Sequence, residues 1–234
     1  MQSVSVERDP PLRLTRLDTG AGNPLTLEAV RSLTKALAPD PEAPVVVLTG
    51  RADGFCVGLD NATLAKGRLK REELLAAMGE LLLAALRAPT RIVAACEGHA
   101  VAAGAMLLLV SDVRVGTRDE YKVGFTEVGL GMPLPELPAA LARERLDRKS
   151  LHSLTVLGRT VTPEGALEAG FFDELVARED LQRTAHARAQ EIAGLSEAAY
   201  QGTMASVRGR AIERVSELVR AQLARLDSVR AGAD

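Results

Sequence analysis

The sequence has no tryptophan, and aromatic residues make up only 3% of its 234 residues. Proteins that stack nucleic-acid bases or sugars on aromatic platforms need such side chains. The formal net charge is −2, and no block of basic residues provides a footprint for a phosphate backbone. We therefore expect an aliphatic core and no nucleic-acid partner.

Cysteine and histidine are also scarce. The two cysteines, Cys56 and Cys96, lie in apolar runs and are too few for a disulfide framework, which favours a reducing compartment. The three histidines are not spaced with cysteine or aspartate as metal ligands would be. We expect no metal site, and we interpret both cysteines as small buried hydrophobic residues.

Long apolar segments are missing as well. The amino terminus, MQSVSVERDPP, lacks the basic start and apolar run of a secretory signal. The longest uncharged apolar run, residues 100–111, is too short to cross a bilayer. The sequence thus predicts a cytoplasmic protein without a membrane partner.

Strand and helix patterns alternate through the first half of the chain. Alternation over residues 11–17 predicts a strand, and helical spacing after Thr26, a plausible N-cap, predicts a helix. The β-branched run Val45–Leu48 predicts a strand that is buried on both faces. A helix over 71–86 and a strand over 92–96 follow. This order predicts an α/β protein with a parallel sheet covered by helices.

Beyond residue 132 the pattern becomes helical. The expected elements are helices over 136–146, 148–157 and 162–170, a short apolar piece over 171–176, and helix from Glu179 onward. We expect residues 1–178 to form the core that carries the site. Residues 179–234 are expected to form a C-terminal helical region.

Residues 91–132 concentrate the unusual features of the chain. The apolar run ending at Cys96 breaks at Gly98, and the small residues Ala102, Ala103 and Gly104 then precede an apolar helix pattern. A strand, a small-residue turn and a helix start together aim backbone N–H groups at a developing negative charge. The pattern indicates a cradle for an anion or an oxyanion.

Four segments resemble, in order, the signatures of the crotonase superfamily, the enoyl-CoA hydratase and isomerase group. They are PVVVLTGRADGFCVGLDNATL, RIVAACEGHAVAAGAMLLLVSDVRVG, YKVGFTEVGLGM and LGRTVTPEGALEAGFFDELV. The resemblance spans residues 10–180 of the chain. It implies the crotonase (ClpP-like) fold, an α/β core of repeated ββα turns. It also implies C-terminal helices that make the contacts of a homotrimer or hexamer.

The resemblance implies an acyl-CoA thioester as substrate, with no separate cofactor. An enolate would be held by the backbone N–H groups of Leu59 and Ala103, and Glu127 in the third segment would move the proton. Asp60 is expected to accept turn or helix-start N–H groups. The other residues expected at the substrate are Cys56, Val57, Gly58, Gly104, Met106 and Thr126, with Asp60 beside them.

Two positions depart from the family pattern. Ala103 stands where the family usually has glycine, and Met106 stands where hydratases have the first of two glutamates. Only Glu127 is left, and one carboxylate suffices to move a proton from one carbon to another. This favours Δ3,Δ2-enoyl-CoA isomerisation. The alternatives are a hydratase with weak or altered activity and an acyl-CoA-binding protein without chemistry.

Glu127 and Met106 also have simpler interpretations. Glu127 could cap a turn or pair with Arg143, and Met106 could line the acyl pocket or fill the core. His99, close to the expected site, fits best as a turn histidine bonded to backbone.

Overall fold

The structure, a computed structural model, describes residues 3–87 and 89–232. The strands in these residues are β1 (Val4–Asp9), β2 (Leu12–Leu17), β3 (Val45–Thr49), β4 (Gly54–Cys56), β5 (Arg91–Cys96), β6 (His99–Val101), β7 (Val113–Thr117), β8 (Val123–Gly124) and β9 (Glu174–Val176). They form a six-stranded sheet in the order β1-β2-β3-β5-β7-β9 and a three-stranded sheet in the order β4-β6-β8. The β1–β2 pair is antiparallel, and the other pairings between these strands are parallel.

Helices cover both sheets. They are α1 (Leu27–Ala36), α2 (Asn61–Leu64), α3 (Arg68–Arg87), α4 (Ala103–Val110), α5 (Glu136–Arg145), α6 (Arg148–Thr155), α7 (Pro163–Ala169), α8 (Leu181–Ala193) and α9 (Glu197–Ala231). Short 3₁₀ turns lie at Val128–Leu130 and Arg178–Asp180.

The predicted repetition of ββα turns is present. The pairs β3–β4, β5–β6 and β7–β8 each give one strand to the larger sheet and one to the smaller sheet, and helices follow each pair. Each turn therefore ends at the same edge of the smaller sheet. This repetition brings residues about forty positions apart in the chain to one place.

The central strands are buried on both faces, as the β-branched run at Val45–Leu48 predicted. Val46 and Leu48 face the main core, whereas Val45 and Val47 face a second core that is closed by α8. Side chains alternate across a strand, so a strand covered on both faces must be apolar throughout. The helix α8 contacts the larger sheet directly, and the expected boundary at residue 178 stays a prediction.

The C-terminal region is two helices and not one continuous helix. A break at residues 194–196 separates them, and the Ser196 hydroxyl accepts from the Ala199 N–H at the start of α9. The α9 helix packs closely along α3 at Gly79, where an added Cβ would lie 2.8 Å from Gln222 Oε1 and 3.2 Å from a methyl carbon of Val219. Among the described residues no helix is both long enough and apolar enough to span a membrane.

Local sequence patterns did not predict β1, β4, β6 or β8, and several element bounds differ from the sequence expectation. In β1 only Val4 is buried, so the strand has no alternating apolar pattern to detect. The three-residue strand β4 lies inside a segment that the sequence indicated only as a glycine-punctuated turn. The helix α4 begins at Ala103 and not at Ala105, which places the nitrogen of Ala103 at the start of the helix.

Candidate active site

Three loops meet at one edge of the smaller sheet. Because β4, β6 and β8 are parallel neighbours, the residues that follow them all leave from the same edge. Those residues include Leu59 after β4, Ala103 after β6 and Glu127 after β8. Adjacent strands lie about 4.8 Å apart. The turn carrying Ala103 is therefore in the middle, flanked by the loops that carry Leu59 and Glu127.

Leu59 is fixed by the backbone bonds of its two neighbours. The Leu25 N–H donates to Gly58 O at 2.8 Å, and the Asp60 N–H donates to Leu25 O at 2.9 Å. Over residues 3–87 and 89–232, the N–H groups of Leu59 and Ala103 donate to no protein acceptor. An unpaired N–H at a helix start carries partial positive charge. The two N–H groups are thus free to donate to an oxyanion.

The loops that carry these donors touch each other. A Cβ built on Gly58 would lie 3.2 Å from the Ala102 methyl carbon and 3.9 Å from the Ala103 nitrogen. Gly58 has φ +116°, a conformation that residues with a side chain rarely adopt. Glycine is therefore favoured at this position both by the backbone conformation and by the nearby Ala102 methyl group. The distance confirms that the two loops are neighbours in space.

The backbone strain lies at Ala102. The family usually has glycine at the position of Ala103. In this structure, however, the positive φ belongs to the preceding residue, Ala102, at φ +50° and ψ −114°. Its N–H donates to Gly124 O at 3.0 Å and its carbonyl accepts from the Met106 N–H at 3.2 Å. A non-glycine residue in such a region costs about 1–3 kcal/mol. An alanine offers no sequence signal for this conformation, and sequence reasoning missed it.

Gly104 locks the middle turn onto the end of β4. A Cβ added at Gly104 would lie 2.0 Å from the carbonyl oxygen of Cys56, so glycine is required at this helix start. Cys56 is fully buried, and burial raises the pKa of its thiol to about 12. A thiol with this pKa is not a nucleophile near neutral pH. Cys56 therefore acts as the small buried residue that the sequence indicated.

Glu127 is half-buried and is left without the partners that the sequence allowed. Its Oε2 atom is buried and has no hydrogen-bond partner among the described residues. Its side chain caps no turn, and within that part of the chain it forms no ion pair with the exposed Arg143. Burial raises the pKa of Glu127 above its ordinary value, and the smaller opposing effect comes from the N–H groups of Glu127 and Thr126. A carboxylate of this kind is available to take up a proton.

Asp60 has a structural environment. Its carboxylate accepts from both the N–H and the hydroxyl of Thr63 and caps the start of α2. The hydrogen bond from the Thr63 hydroxyl holds the pKa of Asp60 below its ordinary value. Asp60 thus makes the helix-start bonds that were expected of it.

The other candidate residues divide by burial. Val57 is 38% exposed and anchored by its N–H to Gly22 O, and Thr126 is half-buried beside Glu127. Met106 is 7% exposed and packs in the main core within α4. His99 accepts from the Lys122 N–H through Nδ1 at 3.0 Å, so the expected bond to backbone is present, but His99 begins the strand β6 and does not lie in a turn.

Sequence reasoning also missed Asn23, which supports the loop after β4. It is fully buried with φ +52°, and its amide donates to Leu17 O and Gly54 O. Its Oδ1 accepts from the Thr19 N–H. The signal was the Gly-Asn-Pro cluster at 22–24, because asparagine tolerates positive φ and bonds to backbone. From the sequence alone, this cluster indicated only that the strand predicted over residues 11–17 ends before it.

Comparison with known proteins gives consistent matches. Residues 14–230 match the family described as Enoyl-CoA hydratase/isomerase. The probable enoyl-CoA hydratase echA8 of Mycobacterium bovis is 30% identical over 209 residues, covering 85% of this chain and 78% of that protein. Enoyl-CoA delta isomerase 3 of Arabidopsis thaliana is 29% identical over 168 residues, covering 69% of this chain and 71% of that protein.

A solved structure agrees with the fold. The apo enoyl-CoA isomerase of Mycobacterium tuberculosis superposes with a TM-score of 0.89 at 30% identity, covering 95% of this chain and 98% of that one. This confirms the crotonase fold that the four segments predicted. The match covers nearly the whole chain, and an acyl-CoA substrate is consistent with it. The chain is an enzyme of the crotonase superfamily and belongs to its enoyl-CoA hydratase/isomerase family.

Proposed function

We propose that this enzyme moves the double bond of an enoyl-CoA from the Δ3 to the Δ2 position, with Glu127 as the proton carrier. The observation that supports this most is the environment of Glu127. Its buried Oε2 has no hydrogen-bond partner in the described part of the chain, and burial raises its pKa. A general base works best when its pKa approaches the working pH. This carboxylate is therefore suited to taking a proton and giving it back.

The reaction needs one proton donor and acceptor. The Glu127 carboxylate removes a proton from C2 of the 3-enoyl thioester, and the electron pair moves onto the thioester oxygen as a dienolate. The Leu59 and Ala103 N–H groups would donate to that oxygen. The protonated Glu127 then returns the proton to C4, and the double bond closes between C2 and C3. In well-studied enzymes the removal of one hydrogen-bond donor from the oxyanion hole lowers kcat about 10²–10³-fold.

Hydration is the second candidate, and the name of the 30% identical Mycobacterium bovis relative favours it. Adding water requires a water molecule that is held and activated, commonly between two carboxylates. At the position of the first hydratase glutamate this chain has Met106, an apolar side chain that is 7% exposed. We rank hydration below isomerisation for this reason. Acyl-CoA binding without chemistry comes third and rests on Met106 and on alanine at position 103.

The deciding experiment compares wild type with Glu127→Gln on 3-enoyl-CoA and 2-enoyl-CoA thioesters. We expect wild type to convert the 3-enoyl thioester, and we expect the substitution to slow this about 10²–10⁴-fold because the proton carrier is lost. Glu120→Gln, at an exposed acid in the same region, is the matched control and should keep full activity.

Each contrary result selects another candidate. Isomerisation that survives intact in Glu127→Gln would remove the role given to Glu127. Hydration of the 2-enoyl thioester without isomerisation would favour the hydratase. Thioester binding without turnover of either substrate would favour the binding protein.

We also propose that the enzyme works as a homotrimer or hexamer in the cytoplasm and needs no cofactor beyond the CoA of its substrate. Leu130 and Met132, just after Glu127, and Val156 and Leu157 are large exposed apolar side chains. Their two loops adjoin, because a Cβ on Gly158 would lie 2.8 Å from Val128. Apolar surfaces of this kind often mark interfaces. Light scattering would give three or six times the chain mass of 24.8 kDa, and a monomer would contradict the proposal.

A further inference from the structure

The Ala102 methyl group lies on the side of its loop that is nearest to Gly58 in the other donor loop. A methyl group built on the neighbouring Gly58 would lie 3.2 Å from it, which is closer than side-chain carbons normally approach. The Ala103 nitrogen is only 3.9 Å from the same built position. A second methyl group would therefore require the two loops to move apart by a few tenths of an ångström.

That methyl group is held in an unfavourable backbone conformation. Ala102 has φ +50°, a region in which glycine would fit without steric cost. The facing residue in the other loop, Gly58, also has positive φ and is glycine. Glycine would therefore be more stable than alanine at position 102, and the backbone conformation alone does not explain the methyl group.

We propose that Ala102 is a positioning residue: its methyl group holds the Gly58–Leu59 loop at a fixed distance from the Ala103 N–H and so sets the spacing of the two donors. The inference rests on the proposed function, in which these N–H groups bind the dienolate oxygen. Backbone contacts hold the methyl group from the other side, since Ala102 bonds to Gly124 O and to the Met106 N–H. Ala102 itself touches no reacting atom.

The Ala102→Gly variant separates stability from positioning. Glycine relieves the backbone strain, so the melting temperature should rise by about 2–4 °C. The contact with Gly58 is lost at the same time, and the donors are held less firmly. We expect kcat to fall about tenfold, a fraction of the loss for a whole donor, while KM changes less than twofold because ground-state binding is little affected.

Two further variants test the cause. Ala102→Ser keeps the β carbon and should restore kcat to within about twofold of wild type, without the gain in melting temperature. Ala177→Gly changes an exposed loop alanine with an ordinary φ of −67° and should lower the melting temperature and leave kcat alone. A tenfold loss in both Ala102 variants would show that the methyl contact is not what matters.

A binding probe distinguishes failure of this inference from failure of the proposed function. Acetoacetyl-CoA ionises at C2 to an enolate that is visible by its ultraviolet absorbance, and paired donors lower its pKa when it binds. If wild type binds acetoacetyl-CoA without enriching the enolate, the oxyanion hole itself is wrong. If wild type enriches the enolate and Ala102→Gly enriches it equally with unchanged kcat, the hole stands and the role of Ala102 is overturned.

Discussion

The loop after β4 and the turns after β6 and β8 serve one site but are built differently. In the loop after β4 the positive φ belongs to glycine, at Gly58, and the carboxylate of Asp60 is bonded to Thr63. In the turn after β6 the positive φ belongs to alanine, at Ala102, and the turn after β8 carries Glu127. The carboxylate of Glu127 there has a buried oxygen without a partner among the described residues.

The difference shows which features of the site lower the stability of the fold. In the first loop the positive φ falls on glycine and the Asp60 carboxylate is hydrogen-bonded, so folding alone can explain both features. The exception is the Leu59 N–H, which has no acceptor among the described residues. Strain at Ala102 and desolvation at Glu127 both oppose folding. Such features persist where the surrounding structure enforces them, and they cluster at functional sites. In the proposed mechanism the relaxed loop therefore supplies one backbone donor, and the turns that oppose folding supply the second donor and the carboxylate.

The largest effect should come from breaking the contact between the two sides. In Gly104→Ala the new Cβ would lie 2.0 Å from Cys56 O, so the backbone of α4 or β4 must move. We expect the free energy of unfolding to fall by about 3 kcal/mol. The control is Gly202→Ala in the helix α9, where an added Cβ would have no atom within 4 Å. Its free energy of unfolding should rise by up to about 1 kcal/mol. Urea unfolding measures both, and equal midpoints for the two variants would contradict the close contact.

A smaller effect should follow when the first loop is made to resemble the second. Gly58→Ala puts a methyl group at φ +116° and 3.2 Å from the Ala102 methyl. We expect a loss of about 2 kcal/mol in urea unfolding. Adding Ala102→Gly removes one of the two opposing methyl groups, so the double variant should recover about 1 kcal/mol more than the sum of the single changes. Strict additivity would show that these methyl groups do not meet.

Much of this frame was predictable from the sequence. The β-branched run at Val45–Leu48, the Thr26 cap and the Thr162 to Gly170 helix each have a local physical cause, and all are present. The order of the four family segments also fixed which loops meet, because parallel strands end at a common edge. What was found this way depends on periodicity, caps and chain order.

The strained side was not predictable in the same way. Nothing local distinguishes Ala102 from Ala103, and only the contacts to Gly124 and Met106 decide which of them takes positive φ. The sequence named Glu127 but left open whether it would be paired with Arg143, since long-range pairing depends on side-chain direction. Strands as short as β4 and β8 give no periodicity at all. These features arise from tertiary packing.

The smallest expected effect is on the pH dependence of stability, which the carboxylates of Glu127 and Asp60 should change in different ways. Burial raises the pKa of Glu127 above 4.5, so its contribution to stability is complete below that pH and is lost as the pH rises through the raised pKa. Relative to wild type, Glu127→Gln should therefore gain stability as the pH increases from 4.5 through the raised pKa. Asp60 has a lowered pKa, so its contribution is complete above pH 3.8 and is lost as the pH falls through the lowered pKa. Asp60→Asn should therefore be less stable than wild type by a constant amount above pH 3.8, and this deficit should shrink at lower pH.

Relative to wild type, Glu127→Gln thus gains stability with rising pH above 4.5, whereas Asp60→Asn loses stability with rising pH only below 3.8, and urea unfolding at several pH values can measure both. In the proposed isomerisation the same raised pKa should limit catalysis, because only the ionised Glu127 could accept the C2 proton. The acidic limb of kcat/KM should then have an apparent pKa above 4.5 and should disappear in Glu127→Gln. If Glu127→Gln instead lost stability with rising pH, Glu127 would have a partner in solution, and the contrast between the two sides of the site would fail at its most functional residue.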